Sequence, residues 1–124
     1  MNETVAVTGA AGFIGRWVVA ELLDRGHTVY GLDDFSNGSE RNTAEFRDHD
    51  AFQIYEGNVR SKGDVDSLCQ NDVDACIHLA AEIDGQESLE DPDAHFESNV
   101  IGTQNILEAC RENDTRLGLV GTCM

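Results

Sequence analysis

Two kinds of hydrophobic pattern alternate along the chain. Short apolar runs predict buried strands, and segments with an apolar residue at every third or fourth position predict helices. Runs of the first kind are TVAVT, TVYGL, AFQIY, ACIHLA and LGLV, so we expect five strands. They cover Thr4–Thr8, Thr28–Leu32, Ala51–Tyr55, Ala75–Ala80 and Leu117–Val120.

The segments between these runs predict helices. The first extends from about Gly12 to Arg25, with Ile14, Val18 and Leu22 on one stripe and Gly26 as its stop. A short helix is expected to end near Phe46, and a third to begin at Ser61 and end near Gln70.

The longest predicted helix begins with Asp91 as its N-cap, followed by Pro92 in the first helical position. Its apolar positions follow one another at steps of three or four and therefore share one face. They are Phe96, Val100, Thr103, Leu107 and Cys110.

Strands that alternate with helices imply an α/β fold with a parallel sheet and right-handed crossovers. The predicted strand order is 3-2-1-4-5, which is the opening portion of a doubly wound, Rossmann-type sheet. Residues 1–124 are expected to form a single domain, truncated after strand five, since only the sixth strand of the full pattern is missing.

A glycine-rich segment, Thr8-Gly-Ala-Ala-Gly-Phe-Ile-Gly15, lies between the first strand and the first helix. Glycines at Gly9, Gly12 and Gly15 allow a tight turn and let the backbone approach a diphosphate, while the helix N-terminus offers N–H groups and partial positive charge. The segment therefore predicts a dinucleotide phosphate site.

Asp33 stands at the end of the second strand. A carboxylate there can accept both hydroxyls of an adenosine ribose and repels the 2′-phosphate of NADP. The sequence thus favours NAD over NADP as cofactor.

The net charge limits the partners. With 24 acidic and 8 basic residues the formal charge is −16, which disfavours nucleic acid and anionic membrane surfaces. No apolar run is long enough to span a membrane. Such a surface is typical of a cytoplasmic protein in a salt-rich, halophilic cell, and the alternative is an ordinary acidic protein kept soluble by its charge.

The four cysteines, Cys69, Cys76, Cys110 and Cys123, form no Cys-x-x-Cys pair, and we expect reduced, mostly buried thiols. Paired acids such as Asp64/Asp66 lack the glycine and the final glutamate of a calcium loop. No metal site is predicted.

These motifs resemble the extended short-chain dehydrogenase/reductase family, particularly its NAD-dependent epimerase/dehydratase members acting on nucleotide sugars. Beside the glycine segment, the resemblance rests on the segments 32–38 (LDDFSNG), 57–60 (GNVR), 78–81 (HLAA) and 88–109. It implies that Asn58 replaces an acid that contacts adenine, that small residues after strand four admit the cofactor, and that Asn99 faces it. His78 is expected to be a core residue with a satisfied ring. The implied cofactor-binding set is Gly9, Ala11, Gly12, Phe13, Ile14, Gly15, Asp33, Asp34, Asn37, Asn58, Val59, Leu79, Ala80, Ala81 and Asn99.

The family's catalytic Tyr-x-x-x-Lys has no counterpart here. Tyr30 and Tyr55 are followed four positions later by Asp34 and Val59, and Thr122 is the counterpart that the resemblance offers for the family's Ser/Thr. No catalytic residue is therefore assigned, and this chain alone is expected to bind NAD without turnover.

Three functional alternatives remain open from the sequence. In the first, the chain is the NAD-binding portion of an epimerase/dehydratase, as a natural fragment, an expressed piece, or half of a split enzyme whose other chain supplies the tyrosine and lysine. In the second, it is a stand-alone, non-catalytic dinucleotide-binding module. In the third, it is a structural remnant with no ligand. A homo-oligomer is a further expectation, because strand five would be an exposed sheet edge.

Overall fold

A five-stranded parallel sheet forms the centre of the computed structural model, which describes residues 2–35, 39–80, 93 and 97–119. The strand order is β3-β2-β1-β4-β5, which confirms the predicted fold class and order. The strands are β1 (Thr4–Thr8), β2 (Thr28–Asp33), β3 (Phe52–Glu56), β4 (Ala75–His78) and β5 (Arg116–Leu119).

Among the described residues, four α-helices lie between the strands, and each lies where the sequence predicts a helix. Ser61 caps α3, because its Oγ accepts a hydrogen bond from the backbone N–H of Asp64 at 3.3 Å. The predicted N-cap Asp91 and Phe96 lie outside the described residues. The helices are α1 (Phe13–Asp24), α2 (Glu40–Thr43, continued by a 3-10 turn, Ala44–Phe46), α3 (Lys62–Cys69) and α4 (Gly102–Glu112, preceded by a π-helical turn, Glu97–Ile101).

The strand register brings the carboxyl ends of β1, β2 and β4 to one edge of the sheet. Thr8 is opposite both Leu32 and His78, while Asp33 is opposite Glu56 in β3. The loops that leave this edge therefore lie side by side, as ligand-binding loops do in open α/β sheets.

Hydrophobic cores lie on both faces of the sheet. On one face Leu32 and Cys76 pack with Val65 of α3 and Ile106 of α4. On the other, Val7 and Val29 pack with Val19 and Leu23 of α1 and with Phe46 and Phe52. The sheet is thus covered on both sides, which explains why its strands read as nearly continuous apolar runs.

The fully buried stripe of α1 is shifted by one position from the predicted one. Gly15, Val19 and Leu23 are buried, and Val18 and Leu22 pack half-buried against the same core. Ile14 is instead 57% exposed, so the predicted Ile14–Val18–Leu22 stripe is only partly buried. The reason is the contact made by Gly15: a Cβ there would lie 2.0 Å from the carbonyl oxygen of Gly9. Only the glycine face of α1 can approach the loop this closely.

The same kind of correction applies to α4. Gly102, Ile106 and Ala109 face the sheet together with Cys110, while Val100 and Leu107 are 49% and 50% exposed. The predicted apolar face is therefore only partly buried. Small residues at 102 and 109 allow close packing, and the bulkier side chains turn outward.

Candidate functional site

The glycine loop is held tightly between β1, β4 and α1. Gly9 has φ +72°, and a Cβ on it would lie 2.9 Å from the backbone nitrogen of Ala80. Its N–H donates to the carbonyl oxygen of Leu32 at 2.8 Å. The first-turn N–H groups of α1 lie beyond this loop and have no partner within the helix, which suits them to an anion.

Asp33 fastens the glycine loop to the end of β2. Its Oδ2 accepts from the N–H of Ala11 at 2.8 Å, and its Oδ1 accepts from the N–H of Phe35 at 2.8 Å. The side chain is only 8% exposed. Burial raises the pKa of the Asp33 carboxyl, the two backbone hydrogen bonds lower it in part, and the neighbouring charge of Asp34 raises it. Each carboxylate oxygen has a second lone pair, so the group can still accept ribose hydroxyls.

The loop after β3 places Asn58 beside Asp34. The Asn58 Nδ2 donates to Asp34 Oδ2 at 3.0 Å, and its Oδ1 accepts from both N and Nε of Arg60, at 2.9 and 3.2 Å. Asp64 Oδ2 fixes the same loop by accepting from the N–H of Asn58 at 2.9 Å. The Asn58 Oδ1, which is expected to face an adenine amino group, therefore already accepts two hydrogen bonds. The carboxylate next to it is that of Asp34.

The segment after β4 is anchored to β1. The hydroxyl of Thr8 accepts from the N–H groups of Leu79 and Ala80, at 3.0 and 3.1 Å. Leu79 and Ala80 thus lie against Gly9 of the glycine loop. Strand β4 itself ends at His78, two residues earlier than predicted.

His78 and the π-helical turn lie beneath the loops of the site and are joined by hydrogen bonds. Nδ1 of His78 lies 2.6 Å from Thr8 Oγ1, and Nε2 lies 3.1 Å from Thr103 Oγ1. Thr103 Oγ1 in turn donates to the carbonyl oxygen of Asn99 at 2.7 Å. His78 is 3% exposed, and burial lowers the pKa of its ring. It is a core residue with both ring nitrogens engaged, as predicted.

Most of the implied cofactor-binding residues share this one sheet edge. Phe13 and Ile14 occupy the first turn of α1 with exposed side chains, 75% exposed in the case of Phe13. The side chain of Val59 packs in the core instead, and its carbonyl oxygen accepts from Asn105 Nδ2 at 2.9 Å. Asn37, Ala81 and Thr122 lie outside the described residues.

Several polar residues that support the site were not singled out from the sequence. Asn42 Nδ2 and the N–H of Ser39 both donate to the carbonyl oxygen of Ala11, at 2.7 and 3.0 Å. Asn105 Nδ2 ties α4 to the loop after β3 through Val59 and Arg60. Ser39 and Asn42 belong to no spacing motif, whereas Asn105 lies in the segment 88–109 that carries the resemblance, but no role was predicted for it.

Three cysteines meet in the core away from the sheet edge. Cys69, Cys76 and Cys110 are buried free thiols in one core cluster. The side-chain interaction with Cys110 and burial raise the pKa values of Cys69 and Cys76. Cys123 lies outside the described residues. Within residues 2–35, 39–80, 93 and 97–119 no group of three His, Cys, Asp or Glu side chains is placed to hold a metal ion.

The sequence pattern of a known family covers nearly the whole chain. The NAD dependent epimerase/dehydratase family matches residues 5–124. The chain belongs to this family. A UDP-glucose 4-epimerase from Mycolicibacterium smegmatis is a 38% identical member over 105 residues, which are 85% of this chain and 34% of that protein.

Solved structures of similar proteins share the fold. Pal from Bacillus thuringiensis superposes with a TM-score of 0.91 at 42% identity, covering 97% of this chain and 39% of its own. A Thermus thermophilus UDP-glucose 4-epimerase in complex with NAD gives a TM-score of 0.81 at 34% identity, covering 92% of this chain and 36% of its own. The chain therefore spans little more than a third of the length of these epimerase/dehydratase relatives. No helix among the described residues is long and apolar enough to cross a membrane.

Proposed function

We propose that this chain is the NAD-binding domain of an epimerase/dehydratase and binds the dinucleotide across the carboxyl edge of its sheet. The observation that carries the proposal is the bond from Ala11 N to Asp33 Oδ2. This hydrogen bond joins the two elements that dinucleotide-binding folds use, a phosphate-binding glycine loop and a ribose-binding acid, in one rigid unit. The NAD bound to the Thermus thermophilus relative supports the same cofactor.

The residues present fit NAD by their chemistry. The first-turn N–H groups of α1 would take the diphosphate, and Asp33 the adenosine ribose. Asp34 and Asn58 would line the adenine side, while Leu79, Ala80 and Asn99 would border the nicotinamide half. When bound, NAD would supply a nicotinamide ring that accepts a hydride reversibly.

The preference for NAD over NADP follows from charge. A 2′-phosphate would lie next to the buried carboxylate of Asp33, with Asp34 beside it. Like charges in a poorly hydrated site repel strongly. A ribose hydroxyl, in contrast, donates a hydrogen bond to the same oxygens.

The substrate class proposed for the whole protein is a nucleotide sugar, because the similar proteins include UDP-glucose 4-epimerases. The acid/base pair Tyr-x-x-x-Lys is not found in the 124 residues. We infer that this chain alone binds without turnover, and that a catalytic tyrosine and lysine come from further sequence or from a separate chain.

Two further properties belong to this proposal. Val100 in the π-helical turn and Leu107 on α4 are half exposed, which favours self-association or a partner chain at this part of the surface. The formal charge of −16 supports the proposal that the protein works in a salt-rich cytoplasm, as in halophiles. Light scattering in molar KCl tests the first property, and a monomer there would contradict it.

Calorimetric titration of the folded chain with NAD and NADP in molar KCl tests the central proposal. Saturable binding that favours NAD is the expected result. A chain that is folded by circular dichroism but binds neither dinucleotide would be a structural remnant, and the proposed function would be wrong.

A further inference from the structure

A continuous line of hydrogen bonds runs beneath the site from the end of β4, through β1, to the π-helical turn. It begins at the N–H groups of Leu79 and Ala80, which donate to Thr8 Oγ1. It continues through both ring nitrogens of His78 to Thr103 Oγ1, and ends at the carbonyl oxygen of Asn99. Every member is a short contact between residues far apart in the sequence or one helical turn apart.

Counting lone pairs fixes the direction of each proton. A hydroxyl oxygen has two lone pairs, and the Thr8 hydroxyl accepts from two backbone N–H groups, of which that of Leu79 is shared with the Thr8 carbonyl oxygen at 3.2 Å. The Thr8 proton must then point to Nδ1 of His78, 2.6 Å away, so Nδ1 is the acceptor. The ring carries its proton on Nε2, which donates to Thr103, and the Thr103 proton is left for Asn99.

The reverse arrangement is unfavourable. With a proton on Nδ1, none of the described hydrogen bonds would take the Thr8 proton, and Nε2 would face a Thr103 hydroxyl whose own proton goes to Asn99. A doubly protonated ring would fail in the same way. Burial of His78, which lowers the pKa of its ring, favours the neutral form that the line requires.

The line connects three segments that border the proposed cofactor site. Thr8 opens the glycine loop, Leu79 and Ala80 leave β4, and Asn99 lies in the π-helical turn. We propose that His78, with its proton on Nε2, is a positioning residue that holds these three segments in register as one wall of the cofactor site. The effect on cofactor affinity rests on the proposed function, whereas the proton arrangement does not.

Nitrogen NMR of the histidine-labelled chain tests the proton arrangement without any ligand. At neutral pH the His78 ring should show a protonated Nε2 and an unprotonated Nδ1, as a single species. A proton on Nδ1, or a mixture of the two tautomers, would overturn the proposal.

Variants of Thr103 test the coupling. Thr103→Val removes the acceptor for Nε2–H, while Thr103→Ser keeps the hydroxyl. Amide exchange at Leu79 and Ala80 should quicken in the valine variant and stay near the parent rate in the serine variant. Exchange that is unchanged in Thr103→Val would show that the wall does not depend on the line.

The same variants carry the affinity test. We expect Thr103→Val to weaken NAD binding roughly 5- to 30-fold, the equivalent of losing one or two buried hydrogen bonds, and Thr103→Ser to restore it. Thr115→Val is the matched control. The buried Thr115 hydroxyl donates to Val73 O at 3.0 Å, at the amino-terminal ends of β4 and β5 and so away from the proposed cofactor site.

The possible outcomes separate the two proposals. Equal loss of affinity in Thr103→Val and Thr115→Val would mean general destabilisation and would overturn the positioning role. If the parent chain bound no dinucleotide, the proposed function would fail, and the positioning role would still be decided by the ring protonation and the amide exchange.

Discussion

At the scale of single residues, the site depends on groups that satisfy a structural and a binding requirement at once. Asp33 accepts two backbone N–H groups, from Ala11 and Phe35, and is the residue proposed to bind the ribose. Gly12 lies at the N-cap of α1, with extended backbone at φ −80° and ψ 176°. Substitutions at these two positions therefore test binding most directly.

Gly12→Asp places a carboxylate at the proposed diphosphate site. A Cβ at this position would lie 3.3 Å from Gly9 O, a tight contact that a small shift relieves, so the fold should persist. NAD affinity should fall at least roughly 100-fold, since like charges about 4 Å apart near a protein surface repel by about 4 kcal/mol. Calorimetry measures the affinity and circular dichroism the fold.

The control for this change is Gly63→Asp, which adds the same charge in the first turn of α3, where a Cβ meets only Ser61 Oγ at 3.9 Å. It should bind NAD like the parent. Retained affinity in Gly12→Asp would contradict the phosphate site.

Asp33→Ala tests cofactor preference. The variant loses the charge that repels a 2′-phosphate, so the ratio of the Kd for NADP to that for NAD should narrow by roughly tenfold, about 1.4 kcal/mol. NAD binding itself should weaken too, because Ala11 loses the acceptor of its N–H. Asp48→Ala, which removes one charge from an exposed residue, serves as control. An unchanged ratio in Asp33→Ala would remove Asp33 from the ribose role.

At the scale of elements, glycines determine how closely the helices approach the sheet and its loops. Gly15 brings α1 against the backbone of Gly9, and Gly102 lies on the buried face of α4. Bulky apolar residues one position away, such as Ile14, are left partly exposed. The polar line through His78 then ties β1, β4 and α4 together at the base of the site.

Gly15→Ala should destabilise the fold. Its Cβ would lie 2.0 Å from Gly9 O and 2.9 Å from Ala10 Cα, so backbone must move. The expected cost in the free energy of unfolding is about 1–3 kcal/mol, as for overpacked cores. Gly63→Ala makes the same change in α3, where the new methyl group meets little, and should stabilise by about 0.5–1 kcal/mol. Urea unfolding measures both, and equal effects would show that α1 is not tightly packed at Gly15.

The stability of the β1–β4–α4 junction should depend on pH through His78. Its folded-state pKa lies below the ordinary value of 6.5, so the unfolded chain binds more protons in the interval between the two. The stabilising contribution is complete above about pH 6.5 and declines as the pH falls through that interval. The group that acts on the ring electrostatically is Cys110 of α4.

Urea unfolding at several pH values checks this dependence. His78→Gln should flatten the part of the curve just below pH 6.5, whereas His49→Gln, a change to an exposed histidine, should leave it as in the parent. A parent curve that is level in this range would contradict a neutral, buried His78.

At the scale of the whole molecule, the surface charge outweighs every local ion pair. The described pairs, such as Arg16–Glu45 at 3.2 Å and Arg111–Glu108 at 2.8 Å, join exposed side chains. Pairs of this kind contribute about 0–1 kcal/mol each. They cannot offset the mutual repulsion expected of a chain with a formal charge of −16.

KCl should therefore stabilise the fold, most steeply at low concentration, because the Debye length falls from about 10 Å at 0.1 M to about 3 Å at 1 M. Urea unfolding across a KCl series measures the effect. The variant Asp48→Asn/Asp50→Asn, which removes two exposed charges, should show a shallower dependence. Full stability in dilute buffer with no response to KCl would contradict a salt-adapted surface.

The element order, the strand order, the glycine loop and the acid Asp33 after β2 could all be predicted from the sequence. These features depend on local patterns: apolar runs, helical periodicity, and glycines at fixed offsets between a strand and a helix. Parallel strands with right-handed crossovers leave few topologies open, which is why the order 3-2-1-4-5 could be predicted and is found.

Which stripe of each helix is fully buried, and how the polar side chains pair, is seen only in the folded chain. Val19 is fully buried and Val18 half-buried, because Gly15 faces the loop. Asn58 turns its amide to Asp34, and His78 joins Thr8 to Thr103. These side-chain pairs join residues more than twenty positions apart, and their geometry follows from backbone packing that no local pattern encodes.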